Sequence, residues 1–140
     1  METTLAILKP DSVRAGNAGK MLARLEEEGF TIRGLKKLRL SAEQAKAFYE
    51  VHKERPFYNS LVEFMTSGPV VPVALERDNA VVHLRQVMGA TDVAKAEPGT
   101  LRNLFGTSIE ANAIHGSDSP ENAAIELSFF FSRAELIGGR

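Results

Sequence analysis

Histidine is the strongest candidate for nucleophilic or acid–base chemistry in this chain, because the sequence contains three histidines and no cysteine. His52 and His83 lie in predicted helices, and their spacing does not match a His-x-x-x-His metal pair. His115 lies in the octet Asn-Ala-Ile-His-Gly-Ser-Asp-Ser, residues 112–119, between an apolar segment and the start of a predicted helix. Such junctions expose side chains at a sheet edge and present backbone N–H groups to anions. The pattern fits a reactive histidine and an incidental one in a capped turn about equally well.

A second group of residues would bind phosphate if the fold brought its members together. The group consists of four cations that are far apart in the sequence: Lys9, Arg55, Arg85 and Arg102. Taken singly, each is a typical solvated surface charge. Together they would form a triphosphate site, because guanidinium forks and ammonium groups both match phosphoryl oxygens. Arg85 is the most informative of them, because it borders the apolar stripe of its predicted helix.

The common nucleotide-binding motifs are missing from the sequence. Residues 16–21, Gly-Asn-Ala-Gly-Lys-Met, lack the glycine spacing and the metal-binding hydroxyl of a P-loop. There is no Gly-x-Gly-x-x-Gly segment, no protein-kinase catalytic set and no Gly-x-Ser-x-Gly elbow. Any nucleotide must therefore bind in a mode that is neither the Rossmann nor the Walker type.

Composition and charge exclude several classes of protein. The 140 residues, 44% of them hydrophobic, are typical of one globular domain spanning residues 1–140 and not of a disordered chain. Seventeen basic and eighteen acidic residues leave a net charge of −1, so no overall field attracts nucleic acid or anionic lipid. No apolar run approaches the ~20 residues that span a bilayer, and the first residues do not resemble a signal peptide. We therefore expect a cytoplasmic protein with neither a nucleic-acid nor a membrane partner.

The hydrophobic pattern predicts an α+β fold that would position these residues. Strands are predicted at residues 3–8, 30–40 and 70–75, and within 105–114. Helices are predicted at residues 19–28, from Ser41, at 60–67 and 79–88, and from Ser119. Ser41 and Gln44 form a capping box, Asp78 is the predicted cap of helix 79–88, and Pro72 predicts a bulge or an unpaired N–H in its strand. The order of the elements resembles a ferredoxin-like (split βαβ) fold, a four-stranded antiparallel sheet with added helices.

The octet at residues 112–119 resembles the active-site signature of nucleoside diphosphate kinases, Asn-x-x-His-Gly-Ser-Asp. Further blocks in the same order extend the resemblance over nearly the whole chain: residues 7–11, 48–49, 55–58, 65–69, 89–91 and 98–102, then Glu126 and the phenylalanines near 130. The resemblance implies transfer of the γ-phosphoryl group from a nucleoside triphosphate, mainly ATP, to a nucleoside diphosphate. The implied route is a ping-pong cycle through a phosphohistidine, which maintains the pools of ribo- and deoxyribonucleoside triphosphates.

Site residues follow from the same resemblance, position by position. His115 corresponds to the histidine that becomes phosphorylated, Glu126 to the glutamate that binds its imidazole, and Ser117 to the serine that assists. Phe57 corresponds to the aromatic residue on which the base stacks, and Leu61 lines that slot. Residues matching those that contact phosphates or ribose are Lys9, Tyr49, Arg85, Thr91, Arg102 and Asn112, with Arg55 as a weaker candidate. Stacking on a flat ring accepts every base, in agreement with an enzyme that has no base preference.

The resemblance also implies a cofactor and an assembly. Mg²⁺ bridges the nucleotide phosphates in this family, and a hydrated Mg²⁺ needs few protein ligands, so no residue is assigned to the metal. Family members form dimers that associate further, and the bacterial-type sequence favours a homo-oligomer, with a tetramer preferred over a hexamer or a dimer.

Three positions depart from the family pattern. Asp92-Val93 replace the usual Asn-Pro, and Leu104 replaces an acidic residue. These departures leave the predicted catalytic groups intact but affect the loop in which the departures lie.

Two alternative functions fit the sequence less well. A catalytically silent regulatory or nucleic-acid-binding module would not need both His115 and Glu126. A histidine phosphatase would need an Arg-His-Gly motif, whereas Ile114 precedes the histidine here.

Overall fold

One antiparallel sheet forms the centre of the computed structural model, which describes residues 1–138. Its strands are β1 (Glu2–Leu8), β2 (Thr31–Leu35), β3 (Val71–Arg77) and β4 (Ile114–Gly116), in the order β2-β3-β1-β4. Strands β1 and β2 both run antiparallel to β3, which lies between them. They are therefore parallel to each other and split by β3, which confirms the predicted split βαβ arrangement.

Helices cover both faces of this sheet. In the described part of the chain they are α1 (Pro10–Arg14), α2 (Ala18–Glu27), α3 (Ala42–Phe48), α4 (Tyr58–Met65), α5 (Ala80–Met88), α6 (Leu101–Phe105), α7 (Pro120–Phe130) and α8 (Arg133–Gly138). No helix among residues 1–138 is both long and apolar enough to cross a membrane.

Alternation along β1 divides the core into two layers, because successive side chains of a strand point to opposite faces. Ala6 and Leu8 pack with buried residues of α2 and α5, including Met21. Leu5 and Ile7 pack with buried residues of α3, α4 and α7 on the other face. A strand that is covered on both faces must be apolar throughout, which explains the continuous hydrophobic run at the start of the chain.

The helix caps agree with the sequence at two positions and differ at one, and the helices predicted at residues 19–28 and 60–67 lie at Ala18–Glu27 and Tyr58–Met65. The Ser41–Gln44 capping box forms as predicted, and Ser119 caps α7, its Oγ accepting a hydrogen bond from Asn122 N at 3.1 Å. Asp78 does not cap α5: the residue before the helix is Asn79, in a left-handed conformation with φ 53°. The backbone N–H of Val81, in the first turn of α5, instead donates a hydrogen bond to Glu2 Oε1 at 2.7 Å. A carboxylate of β1 therefore replaces the local cap.

Three further differences concern two predicted strands and residues 10–14, for which no element was predicted. The strand predicted within residues 105–114 is wrong except at its last residue, because residues 101–105 form α6 and β4 begins at Ile114. The strand predicted at residues 30–40 ends at Leu35 and is interrupted by an irregularity between Ile32 and Gly34. Residues 10–14 are a short helix, since proline is well suited to a first helical position.

Pro72 lies in the central strand β3 without disrupting it. Its Cα pairs with Ile7 of β1, and its carbonyl accepts a hydrogen bond from Lys36 N at 3.1 Å, one residue beyond the end of β2. The missing N–H therefore falls at the end of the β2–β3 ladder. The sequence predicted a bulge or an unpaired N–H at Pro72, and the irregularity of this strand pair lies in β2, between Ile32 and Gly34.

Candidate active site

A cleft of about 620 Å³ lies where β4, the end of β1 and helices α3, α4 and α7 meet. Every site residue predicted from the sequence lines it except Ser117, which is fully buried behind it. Arg55, the weaker candidate, is exposed and does not line the cleft. The fold therefore brings together residues that are up to 117 positions apart, from Lys9 to Glu126.

His115 is held by a glutamate and a serine. Nε2 of His115 lies 2.7 Å from Glu126 Oε1, and Ser117 Oγ donates to the same oxygen at 2.9 Å. Because an ionised carboxylate only accepts hydrogen bonds, Nε2 must carry the proton, which leaves a lone pair on Nδ1. No hydrogen bond within residues 1–138 involves Nδ1, so this atom is the available nucleophile of the cleft.

Two aromatic rings fix the plane of the imidazole. Phe48 and Tyr49, at the end of α3, meet the His115 ring edge to face, with centroids 5.7 and 6.5 Å away. Burial, with a smaller contribution from Glu126, raises the pKa of Tyr49 above its usual value. The Tyr49 hydroxyl therefore stays protonated and can donate a hydrogen bond to an anion in the cleft.

Lys9 follows the end of β1 and is buried. Its Nζ donates to the carbonyl of Glu110 at 2.8 Å and to Asn112 Oδ1 at 2.9 Å, which leaves the third N–H free for a ligand. Burial lowers the pKa of Lys9 to about 8, with Arg102 adding to the effect and Asp11 and Glu110 opposing it. A phosphate in the cleft would add a directly bonded counter-charge, because the two acceptors of Nζ are neutral oxygens.

Arg102, on α6, is a buried cation that donates hydrogen bonds to backbone carbonyls. Its guanidinium donates to the carbonyl of Gly89 at 3.0 Å and to that of Ile114 at 2.8 Å, and its buried Nε has no partner within residues 1–138. Burial, and then the nearby charge of Arg85, lower the pKa of Arg102 to about 10. The bond to Ile114 places the guanidinium beside the residue that precedes His115. Such a site favours an anion, because its positive charge is not neutralised locally.

The far end of the cleft is apolar. Phe57 precedes the first turn of α4 with 48% of its surface exposed, and Leu61 lies one turn further along the same helix. Ile109, which is 61% exposed and also lines the cleft, was not identified from the sequence. The one signal for it was an apolar residue between Ser108 and Glu110 in a polar loop. A flat, open apolar slot of this kind accommodates an aromatic base.

Two polar residues, Asp118 and Asn122, lie on the rim of the cleft beside the start of α7. From the octet, Asp118 is predicted to help Ser117 hold the tautomer of His115. In the structure it accepts a hydrogen bond from Asn122 Nδ2 at 2.5 Å instead, and Glu126 holds the imidazole. Asn122 carried no signal, because a single asparagine in the first turn of a helix is ordinary.

Comparison with known proteins supports one family. A sequence model described as "Nucleoside diphosphate kinase" matches residues 2–136. A nucleoside diphosphate kinase of Campylobacter fetus is 58% identical over 136 residues, which cover 97% of this chain and 99% of that protein. The crystal structure of the Aquifex aeolicus nucleoside diphosphate kinase superposes with a TM-score of 0.93 at 49% identity, covering 96% of this chain and 97% of the other. A halophilic nucleoside diphosphate kinase from Halobacterium salinarum, solved in complex with CDP, superposes with a TM-score of 0.92 at 40% identity, covering 96% and 90% of the two chains.

The fold and the site define an enzyme that transfers phosphoryl groups between nucleotides. The chain belongs to the nucleoside diphosphate kinase family. Its activity is the transfer of a phosphoryl group from a nucleoside triphosphate to a nucleoside diphosphate.

Proposed function

We propose that the transfer proceeds in a ping-pong cycle through a phosphohistidine at Nδ1 of His115. The observation that carries this proposal is the 2.7 Å contact between Nε2 and Glu126, which leaves Nδ1 as the free nitrogen. In the first half-reaction Nδ1 attacks the γ-phosphorus, the bond to the β–γ bridging oxygen breaks, and the nucleoside diphosphate leaves. In the second half-reaction a terminal oxygen of another nucleoside diphosphate attacks the same phosphorus, and the N–P bond breaks.

Glu126 has a different task in each half-reaction. When Nδ1 forms its bond to phosphorus, the imidazole becomes cationic, and the adjacent carboxylate stabilises that charge. When the phosphoryl group leaves, Nδ1 must again be neutral, and Glu126 keeps the proton on Nε2. Ser117 holds the carboxylate in place through its 2.9 Å hydrogen bond. Ser117 thus positions Glu126, and Glu126 in turn orients and stabilises His115.

The cations of the cleft would stabilise the transferring group. Phosphoryl transfer depends largely on positioning and on neutralising charge on the equatorial oxygens. Lys9 and Arg102 are both buried, and among residues 1–138 no carboxylate is hydrogen-bonded to either. Neutral oxygens orient both groups before the nucleotide arrives. Arg85 and Thr91 are exposed at the edge of the cleft and would bind outer phosphate oxygens. The hydroxyl of Tyr49 and the amide of Asn112 would contact phosphate or ribose.

Base binding would use the apolar end of the cleft. A base stacked on Phe57 and held against Leu61 contacts surfaces that do not discriminate between purines and pyrimidines. The Halobacterium salinarum relative was solved with CDP. We infer that this enzyme accepts the common nucleoside diphosphates, with ATP as the main phosphoryl donor.

Magnesium is typical of the family. Within residues 1–138 no three acidic or histidine side chains form a group that could hold a metal ion. Of the carboxylates that line the cleft, Glu126 is engaged with His115, and Glu110 accepts a hydrogen bond from Ser60 at 2.7 Å. These residues fit an ion that is held mainly by nucleotide phosphates, with Asp118 as the nearby acidic side chain on the rim. When bound, Mg²⁺ supplies charge neutralisation on the phosphate oxygens.

Three further properties rest on the family resemblance alone. The chain is proposed to be a single kinase domain, residues 1–140, of which the last two lie outside the described residues. A homo-oligomer is proposed, with a tetramer favoured over a hexamer or a dimer, and analytical ultracentrifugation would decide between them. A cytoplasmic location is proposed because the family is usually cytoplasmic.

Trapping the intermediate tests the mechanism. The protein is incubated with ATP and Mg²⁺, and its intact mass is expected to increase by one acid-labile phosphoryl group that disappears as added GDP becomes GTP. The phosphorus and nitrogen NMR spectra of the phosphoprotein should place the group on Nδ1. His115→Ala should bind ATP but form no phosphoprotein, whereas His83→Gln, on a helix surface away from the cleft, should behave as wild type. A phosphoryl group on Nε2, or turnover by His115→Ala, would contradict the proposal.

A further inference from the structure

The residue that joins the Lys9-binding asparagine to β4 has an unfavourable backbone conformation. Ala113 is fully buried and has φ 75°, and Ile114 N donates to the carbonyl of Asn112 at 2.9 Å across it. This is a γ-turn with positive φ at its centre, a rare and strained turn. A residue with a Cβ resists this conformation, so the surrounding structure must impose it.

The segment after β1 imposes it by binding both polar groups of Ala113. Its N–H donates to Asp11 Oδ2 at 3.1 Å. Its carbonyl accepts hydrogen bonds from Lys9 N and from Ser12 Oγ, both at 2.9 Å. Because Lys9, Asp11 and Ser12 are close together in the sequence, one short segment fixes the orientation of the strained residue.

The carboxylate of Asp11 accepts the Ala113 N–H in an unusual environment. Its other carboxylate oxygen, Oδ1, is buried and has no hydrogen-bond partner among the described residues. A buried oxygen without a partner destabilises the fold, and an apolar residue at this position would avoid that penalty. The carboxylate partly offsets the nearby charge of Lys9, and its Oδ2 also supplies the acceptor for the Ala113 N–H.

The turn connects the groups that would act on the phosphate. On one side, Asn112 binds Nζ of Lys9 through Oδ1 at 2.9 Å and the carbonyl of Thr91 through Nδ2 at 3.2 Å. On the other side, the carbonyl of Ile114 binds Arg102, and His115 follows. A change in the backbone of Ala113 would therefore displace the ammonium, the guanidinium and the imidazole relative to one another.

We propose that Asp11 is a positioning residue for phosphoryl transfer, which acts by holding Ala113 in the γ-turn that sets the spacing between Lys9, Arg102 and His115. Asp11 need not touch the nucleotide, because its positioning role is carried out by Oδ2, which accepts the hydrogen bond from the Ala113 N–H. The proposal goes beyond the family activity and concerns how this chain aligns its reacting groups.

The test is a double-mutant cycle between Asp11 and Ala113. Asp11→Ala removes the acceptor, and the misaligned site should lose about 10²-fold in kcat, since displacements of about 1 Å have effects of that size. KM should change much less, because Asp11 itself does not line the cleft. Ala113→Gly removes the Cβ that resists positive φ. In the Ala113→Gly background the loss caused by Asp11→Ala should shrink to about 10-fold.

Two further variants exclude a merely structural explanation. Asp11→Asn retains an acceptor for the Ala113 N–H and should recover most of the kcat lost in Asp11→Ala. Asp78→Ala, which changes an aspartate that is 83% exposed and outside the cleft, should match wild type. If Asp11→Ala does not fold, Asp11→Ser, which is too short to reach the N–H, replaces it in the cycle. The proposal is wrong if kcat is unchanged in Asp11→Ala, if the loss is the same factor in both backgrounds, or if Asp11→Asn is as impaired as Asp11→Ala.

Discussion

Lys9 Nζ lies 2.9 Å from Asn112 Oδ1, a hydrogen bond between residues 103 positions apart in the chain. It joins the end of β1 to the segment that leads into β4, and the two strands are neighbours in the sheet. The pairing of β1 with β4 therefore places a buried cation beside the histidine. Because the amide of Asn112 also binds the carbonyl of Thr91, this one residue links the cation to the loop before α6.

Removal of Glu126 should affect the chemical step more than nucleotide binding. Glu126→Ala leaves the proton of His115 free to move to Nδ1, and loss of such an orienting partner typically lowers activity 10–100-fold. We expect the single-turnover rate of phosphoenzyme formation to fall by that factor, with KM for ATP nearly unchanged. Glu121→Ala, at an exposed position of the same helix, is the matched control. Equal rates in the two variants would show that the 2.7 Å contact does not set the tautomer.

Much of the sheet was predictable because its central strands are apolar throughout. β1 and β3 are buried on both faces, so their hydrophobic runs are unambiguous in the sequence. The short edge strand β4 was not predictable, because three residues provide no periodicity to distinguish from a loop. The cap of α5 was missed because its N–H acceptor, Glu2, is distant in the sequence, and local capping patterns do not report such partners.

For the site, the residue types were predictable and the relations among them were not. The octet identified His115, the scattered cations were candidates for a phosphate site from the sequence, and the family resemblance supplied Glu126. None of these revealed that the Nε of Arg102 has no partner in the described part of the chain or that Ala113 has positive φ, because both depend on where the backbone runs. Ile109 was missed because an isolated apolar residue in a polar loop is commonplace.

The activity of the enzyme should depend on the charge of Lys9. The charged form is the one that can bind phosphate, and burial lowers the pKa of this group to about 8, with Asp11 and Glu110 favouring the charge and Arg102 opposing it. We therefore expect kcat/KM to decrease as the pH rises through about 8 in the free enzyme. Lys9→Arg should remove this alkaline limb at the expense of some activity, because arginine stays charged. An alkaline limb that persists unchanged in Lys9→Arg would assign it to another group.

The same lysine should also make stability depend on pH, with a sign that can be worked out. Its pKa is about 8 in the folded protein and near 10.5 when unfolded, so between these values the unfolded chain binds more protons. Stability must then rise with pH across that window in proportion to the excess protons. We expect urea midpoints of wild type to increase relative to those of Lys9→Met between pH 8 and 10. A difference that is constant with pH would show that the pKa of Lys9 is not lowered.

Arg102 should contribute mainly to the transition state. Its guanidinium is held by two carbonyls before substrate binds, so it can stabilise developing charge without reorganising. Arg102→Ala should lower kcat about 10²-fold, as for the removal of one charge-stabilising donor. Arg39→Ala, in which the lost hydrogen bond is to the exposed Thr66 carbonyl, controls for the loss of a surface arginine. If kcat of Arg102→Ala equals that of Arg39→Ala, the guanidinium does not contact the transferring group.

Phe57 should determine KM rather than kcat, because it contacts the base and not the phosphates. Stacking on an aromatic ring contributes about 1–3 kcal/mol per base, so Phe57→Ala should raise KM by about 5- to 150-fold. The increase should be similar for ADP, GDP and CDP, while kcat changes little and Phe57→Tyr restores wild-type KM. Val82→Ala removes another exposed apolar side chain, on α5 and outside the cleft, and should leave KM unchanged. A tenfold increase in KM for ADP and GDP with no increase for CDP would mean that the slot recognises ring size. An unchanged KM for all three would remove Phe57 from the base-binding site.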